Sequence, residues 1–168
     1  MVKPRLLIAA SCRSGMKAVG SVRCFRYDDA QFRESLPHMY RAVTRQIEVT
    51  VEPNFMPERS SIERSQYFWS YTIVIINSGP ETVQLRTRHW IITDASGRKQ
   101  EIRGEGVVGE RPVLEPGERF EYTSGVPLPT ASGFMSGRYQ MVTSRGEQFE
   151  IDVPTFSLDS PDCKRVLN

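Results

Sequence analysis

The chain predicts an all-β protein, a sandwich of about seven short antiparallel strands in two sheets packed face to face. Three observations carry this. Gln46-Ile-Glu-Val-Thr-Val51, Gly137-Arg-Tyr-Gln-Met-Val-Thr143 and Gln148-Phe-Glu-Ile-Asp-Val153 alternate apolar and polar residues with the period of a half-buried strand. Turn residues punctuate the chain at Asn77-Ser-Gly-Pro80, Asp94-Ala-Ser-Gly97, Leu114-Glu-Pro-Gly-Glu118 and Ser144-Arg-Gly-Glu147. No segment carries a convincing helical period.

Taken in order, the first strand runs over 46–51 with Ile47, Val49 and Val51 on one face, and Pro53 ends it. Residues 54–65 read as a surface loop. Tyr67 to Ile76 is rich in aromatic and β-branched residues and is the best candidate for a central strand, with Tyr67, Trp69 and Tyr71 on one face as core aromatics. Val83 to Thr93 follows, but its apolar phase shifts: Val83 and Leu85 share one face, Trp90 and Ile92 the other. A bulge near Arg86–His89 reconciles them. A hairpin at 94–97 leads to a short strand around Lys99–Arg103, and after a glycine-rich loop Phe120–Ser124 makes another. Pro154 interrupts the strand from Gln148, and Phe156 and Leu158 close the last one.

At 168 residues the chain is one domain with a tail, and a globular part of roughly 120 residues is enough for one core. Residues 1–38 hold seven Lys/Arg against three acids, so the basic balance belongs there, while the remainder has a small acidic excess. That excludes a nucleic-acid footprint on the folded part. No apolar run approaches the ~20 residues a membrane span needs. Cys12 and Cys24 lie in the first 38 residues and Cys163 near the end, which leaves the expected core without thiols and favours a reducing compartment. The division is therefore an N-terminal extension over 1–38, a β-sandwich domain over 39–160 and a C-terminal tail over 161–168. The extension has several readings: a leader, for which Leu6–Ala10 is too short, a transit peptide, a disordered tail, or a segment upstream of a biological start at Met39. The last is favoured, and the extension is expected to stand outside the core.

Gly104, Gly106 and Gly109 spell GxGxxG, the spacing of a dinucleotide fingerprint. That fingerprint needs a helix opening on the glycines, and Glu110-Arg-Pro-Val-Leu-Glu-Pro-Gly117 cannot sustain one. Two readings stay open: a backbone nest holding an anion between Arg103 and Arg111, or a loop that needs glycine for positive φ and close packing. Glu105 and Glu110 beside any phosphate favour the second. Arg86 and Arg88, next to the expected bulge, are the better surface candidates for binding.

Other chemistry finds little support. His89 alternates with Arg88 and Trp90 in a strand and reads as a cross-strand partner, and no ligand spacing for a metal surrounds it. Ser70 and Ser124 have no nucleophile elbow. Glu118/Glu121 and Glu150/Asp152 read as solvated strand faces. The expectation is no enzyme, no cofactor and no metal.

Phe68-Trp-Ser-Tyr-Thr-Ile-Val-Ile75, Val83 to Asp94, Gly104-Glu-Gly-Val-Val-Gly109, Pro112 to Glu118, Tyr122-Thr-Ser-Gly125, Gly137-Arg-Tyr-Gln-Met141 and Ile151-Asp-Val-Pro-Thr-Phe156 together resemble the ApaG family, also called CorD, over roughly residues 40–160. The resemblance implies a fibronectin-III or immunoglobulin-like sandwich. It also implies a cytoplasmic protein associated with cobalt tolerance and magnesium efflux, acting as an interaction module. It implies a protein partner, with pyrophosphate or a nucleotide as the alternative ligand at the glycine motif, and neither nucleic acid nor membrane.

Overall fold

The computed structural model describes residues 22–26 and 39–161. Ten strands order these residues: β1 (Val22–Arg26), β2 (Tyr40–Thr44), β3 (Ile47–Phe55), β4 (Tyr67–Asn77), β5 (Val83–Asp94), β6 (Lys99–Glu105), β7 (Val113–Leu114), β8 (Glu118–Leu128), β9 (Ser132–Thr143) and β10 (Gln148–Asp159). One sheet has the order β1-β8-β4-β3-β2, the other β10-β9-β5-β6 with β7 also on β5, and every pairing is antiparallel. This is the expected two-sheet all-β sandwich.

Alternation does what a period of two requires. Ile47, Val49 and Val51 of β3 are buried, as are Trp69, Tyr71, Ile73 and Ile75 of β4. Across the gap Trp90 is 3% exposed and meets Tyr71, Tyr139 and Phe156 at centroid distances of 5.7, 5.8 and 6.4 Å. Large rings thus fill the space between the sheets. The Tyr122 and Tyr139 hydroxyls join there, 2.5 Å apart.

Three expectations need correction. Gln46 lies outside the strand: Arg45 and Gln46 have φ of 48° and 62° and form a tight turn that makes β2 a separate strand paired with β3. Pro53 does not end β3, because β2 stops opposite Val51 and the strand is an edge on that side, where a residue without N–H is tolerated. Pro154 does not interrupt β10 but sits in a bulge between Val153 and Phe156. Within residues 1–38, Val22–Arg26 joins the sheet on β8; the rest of that segment, and residues 162–168, lie outside the described residues.

The bulge in β5 is where the phase shift puts it. The register on β9 slips between Leu85 and Thr87, so Arg86 is the extra residue. The hairpin at Asp94 also forms as expected, with Gly97 at φ 79° and the Gly97 N–H on the Asp94 carbonyl at 2.9 Å.

Candidate functional site

The glycine loop and the strands beside it are positioned by the β5–β6 ladder, which sets Arg88 opposite Gly104 and His89 opposite Arg103. After β6 the chain closes a tight turn, Val107 and Glu110 exchanging N–H to carbonyl bonds of 2.8 Å each. The turn's central residues, Val108 and Gly109, have φ of 45° and 85°. A Cβ on Gly106, itself at φ 57°, would lie 2.2 Å from the Glu110 carbonyl oxygen. A Cβ on Gly104 would lie 3.1 Å from the Arg88 guanidinium carbon. Gly104 makes room for an arginine, and Gly106 makes the loop's close approach.

Arg88 explains the loop's shape. After the bulge it shares a face with Trp90 and Ile92, so it points inward rather than outward. Its Nη1 donates to the carbonyls of Glu105 at 2.8 Å and Gly106 at 2.7 Å. Burial pushes the Tyr122 and Tyr139 hydroxyls well above the ordinary tyrosine range, and the Arg88 charge pulls the other way. Burial likewise raises Tyr71, against a bond with Ser124 and the same arginine. Arg88 is therefore a fixture of the fold.

The loop's own amides are largely committed. Gly106 N–H donates to the Arg86 carbonyl at 2.8 Å, and the Val107 and Glu110 N–H groups serve the turn. Arg111 pairs with Glu105, and Arg103 with Glu101 at 3.4 Å. Arg86 donates to the Gln84 side chain at 3.2 Å. The arrangement is a self-satisfied loop, and its carbonyls, not its amides, converge on a cation. Nothing in that geometry favours the anion nest.

The outward side of the same sheet holds a different set. On one cross-strand row Arg103 of β6, His89 of β5, Arg138 of β9 and Asp152 of β10 stand side by side. His89 Nε2 lies 2.9 Å from Glu101, while Arg138 reaches Asp152 at 3.2 Å and Glu150 at 3.4 Å. The hydrogen bond from His89, with Arg103 adding to it, outweighs partial desolvation and lowers the Glu101 pKa. The β10 bulge opens a shallow groove beside this row, lined by His89, Ile91, Arg138, Asp152 and Thr155. Sequence reasoning named Arg103 but took Glu150 and Asp152 as solvated and missed Arg138. Alternation puts Arg138 opposite in face to buried Tyr139, yet only the register shows what stands beside it. Among the described residues no three His, Cys, Asp or Glu side chains group as a metal site would require, and no helix is long and apolar enough to cross a membrane.

Fold and site define a β-sandwich whose glycine motif is structural and whose charged face lies on the outer side of the second sheet. Residues 57–143 match the ApaG domain. The chain is 83% identical over 130 residues to protein ApaG of Bradyrhizobium diazoefficiens and 82% to that of Rhodopseudomonas palustris, in each case covering 77% of this chain and all of the relative. A crystal structure of an ApaA protein from Bordetella pertussis superposes with a TM-score of 0.67 at 45% identity, covering 75% of this chain and 99% of that one. The chain belongs to the ApaG family.

Proposed function

We propose that the chain is a non-enzymatic interaction module whose outer β6-β5-β9-β10 face binds a protein partner in the cytoplasm. Through that partner it acts on cobalt tolerance and magnesium efflux without holding the ion itself. The observation that carries this reading is the row of Arg103, His89 and Arg138 beside the groove of the β10 bulge. Three basic residues abreast, interleaved with Glu101, Glu150 and Asp152, suit a partner surface of alternating charge, which gains specificity and association rate from such a pattern. Two antiparallel sheets, β1-β8-β4-β3-β2 facing β10-β9-β5-β6, support the finer description of a fibronectin-III-like sandwich.

The test is capture from the protein's own cell extract with wild type and with Arg103→Glu/Arg138→Glu. A protein retained by the first and lost by the second, at unchanged denaturation midpoint, supports the reading; identical retention overturns it. Titration calorimetry with pyrophosphate and ATP, with and without magnesium, should show no saturable heat at millimolar ligand. Saturable heat abolished by Arg103→Ala would return function to the glycine loop.

A further inference from the structure

We propose that the cleft at the Asp94 end of the sandwich, between the β5–β6 hairpin and the end of β8, binds a small carboxylate with an apolar body. The cleft is neither the arginine face nor the glycine loop, and its test is independent of the partner reading. Its cavity volume is about 240 Å³, room for about eight waters. Both sheets contribute to it. Ile92 of β5 and Leu128 of β8, 4% and 5% exposed, belong to the core and also line the cleft, so the core reaches a concave opening there. Pro127 and Pro129 extend that apolar wall. Covering such a surface is the driving force for an apolar ligand body.

The hairpin supplies the polar end. Asp94 is committed to the turn: its Oδ1 accepts the N–H groups of Ser96 at 2.9 Å and Arg98 at 3.1 Å, and its Oδ2 accepts Arg98 Nε at 2.9 Å. Those bonds fix the base of a guanidinium whose side chain is still 69% exposed. The two Nη groups of Arg98 have no partner among the described residues. They are the fork that meets the two oxygens of a carboxylate side by side. Gln100 stands opposite Ile92 in the β5–β6 ladder and so shares its face, with an amide that has no partner among the described residues. Of the described residues lining the cleft, Arg98 and Lys99 are cationic and Asp94 alone is acidic. The excess positive charge selects a carboxylate over an ammonium group.

The cleft is preformed. Ala95 N–H donates to Thr130 Oγ1 at 3.1 Å, and that hydroxyl donates to the Ser132 carbonyl at 2.7 Å, so the β5–β6 turn and the β8–β9 connection are tied to each other. Gly133 stands opposite Asp94 in the β5–β9 ladder. A Cβ there would lie 2.6 Å from the Thr93 carbonyl oxygen and 2.9 Å from Leu128 Cδ1. Glycine thus lets the connection close against β5 and seats Leu128 where the cleft needs it. Both walls hold without a ligand, which keeps the ordering cost of binding low. The volume is below the ~300 Å³ at which pockets for drug-sized ligands begin, so the ligand is small: one ring or a short chain with its carboxyl group.

The test titrates the full chain with phenylacetate and follows its backbone amide resonances by NMR. Shifts should be confined to residues 92–100 and 127–133 and saturate with a Kd on the order of 1 mM, the affinity a ligand of this size reaches at modest efficiency. Phenylacetamide, which keeps the ring without the charge, and acetate, which keeps the charge without the ring, should each bind at least about tenfold more weakly. Arg98→Gln should weaken phenylacetate about tenfold at a nearly unchanged denaturation midpoint, because an exposed ion pair contributes little to stability. Arg103→Glu/Arg138→Glu should leave phenylacetate binding unchanged, which separates this cleft from the partner face. No saturable shift in wild type, shifts centred elsewhere on the molecule, or equal binding of phenylacetamide overturns the proposal. So does a folded Arg98→Gln chain that binds phenylacetate as wild type does.

Discussion

Arg88 and His89 are neighbours on β5, and across the same ladder they face Gly104 and Arg103. Arg88 turns in, lies over a glycine and spends its hydrogen bonds on two loop carbonyls. His89 turns out and joins a row of exposed ion pairs with Glu101, beside an Arg103 whose side chain is 74% exposed. One residue of register separates a side chain that builds the loop from one that decorates a surface. The difference teaches that in a sandwich the face decides the role of a basic residue, and the bulge at Arg86 decides the face.

Substitutions along this ladder test that division. Trp90→Ala, one position further on the inward side, should cost the most, about 3–5 kcal/mol, read as the loss in a denaturant titration. Near-wild-type stability would place the ring outside the core. Gly106→Ala forces a Cβ against the Glu110 carbonyl at positive φ and should cost about 2–3 kcal/mol by the same measurement. Arg88→Ala strips two charged hydrogen bonds from the loop and should cost about 2 kcal/mol, with faster hydrogen exchange confined to residues 104–111. On the outward side Arg103→Ala and Arg111→Ala should each cost less than about 1 kcal/mol, because exposed ion pairs contribute little. An Arg103 loss as large as that of Arg88 would break the comparison.

The smallest expected effect is a pH dependence. The Glu101 carboxyl has a lowered pKa in the fold, chiefly through His89. Its contribution is therefore present above the ordinary value of about 4.3 and disappears as pH falls through the lowered one. Midpoints of wild type and Glu101→Gln measured against pH should differ slightly near neutrality and converge in acid.

Much of this was readable from residue order. The shift from Val83 and Leu85 to Trp90 and Ile92 located the bulge, and the same parity, followed one step back from Trp90, would have turned Arg88 inward. The Arg45–Gln46 turn was not readable, since two residues with long side chains take the positive φ that Gly or Asn usually supplies. Pro53 misled because its tolerance depends on where β2 stops. Arg138 could not be joined to His89, nor Val22–Arg26 to β8, without the register between distant segments. The prolines after the glycine motif excluded a dinucleotide fold, and Glu105 and Glu110 favoured a structural loop over an anion nest, but the carbonyls that accept from Arg88 are a backbone property no spacing reveals.

The Tyr122–Tyr139 bond joins β8 to β9, and so fastens one sheet to the other by a single shared proton. Both phenols titrate well above the usual value of about 10, so this fastening is intact below that value and fails as strong base removes the proton. A phenolate there would stand between two apolar layers with no water to solvate it. In alkali the sheets should consequently part as these two phenols are exposed and ionise, one cooperative change in ultraviolet absorbance. Tyr122→Phe should reduce its amplitude and separate the remaining tyrosine titration from the unfolding.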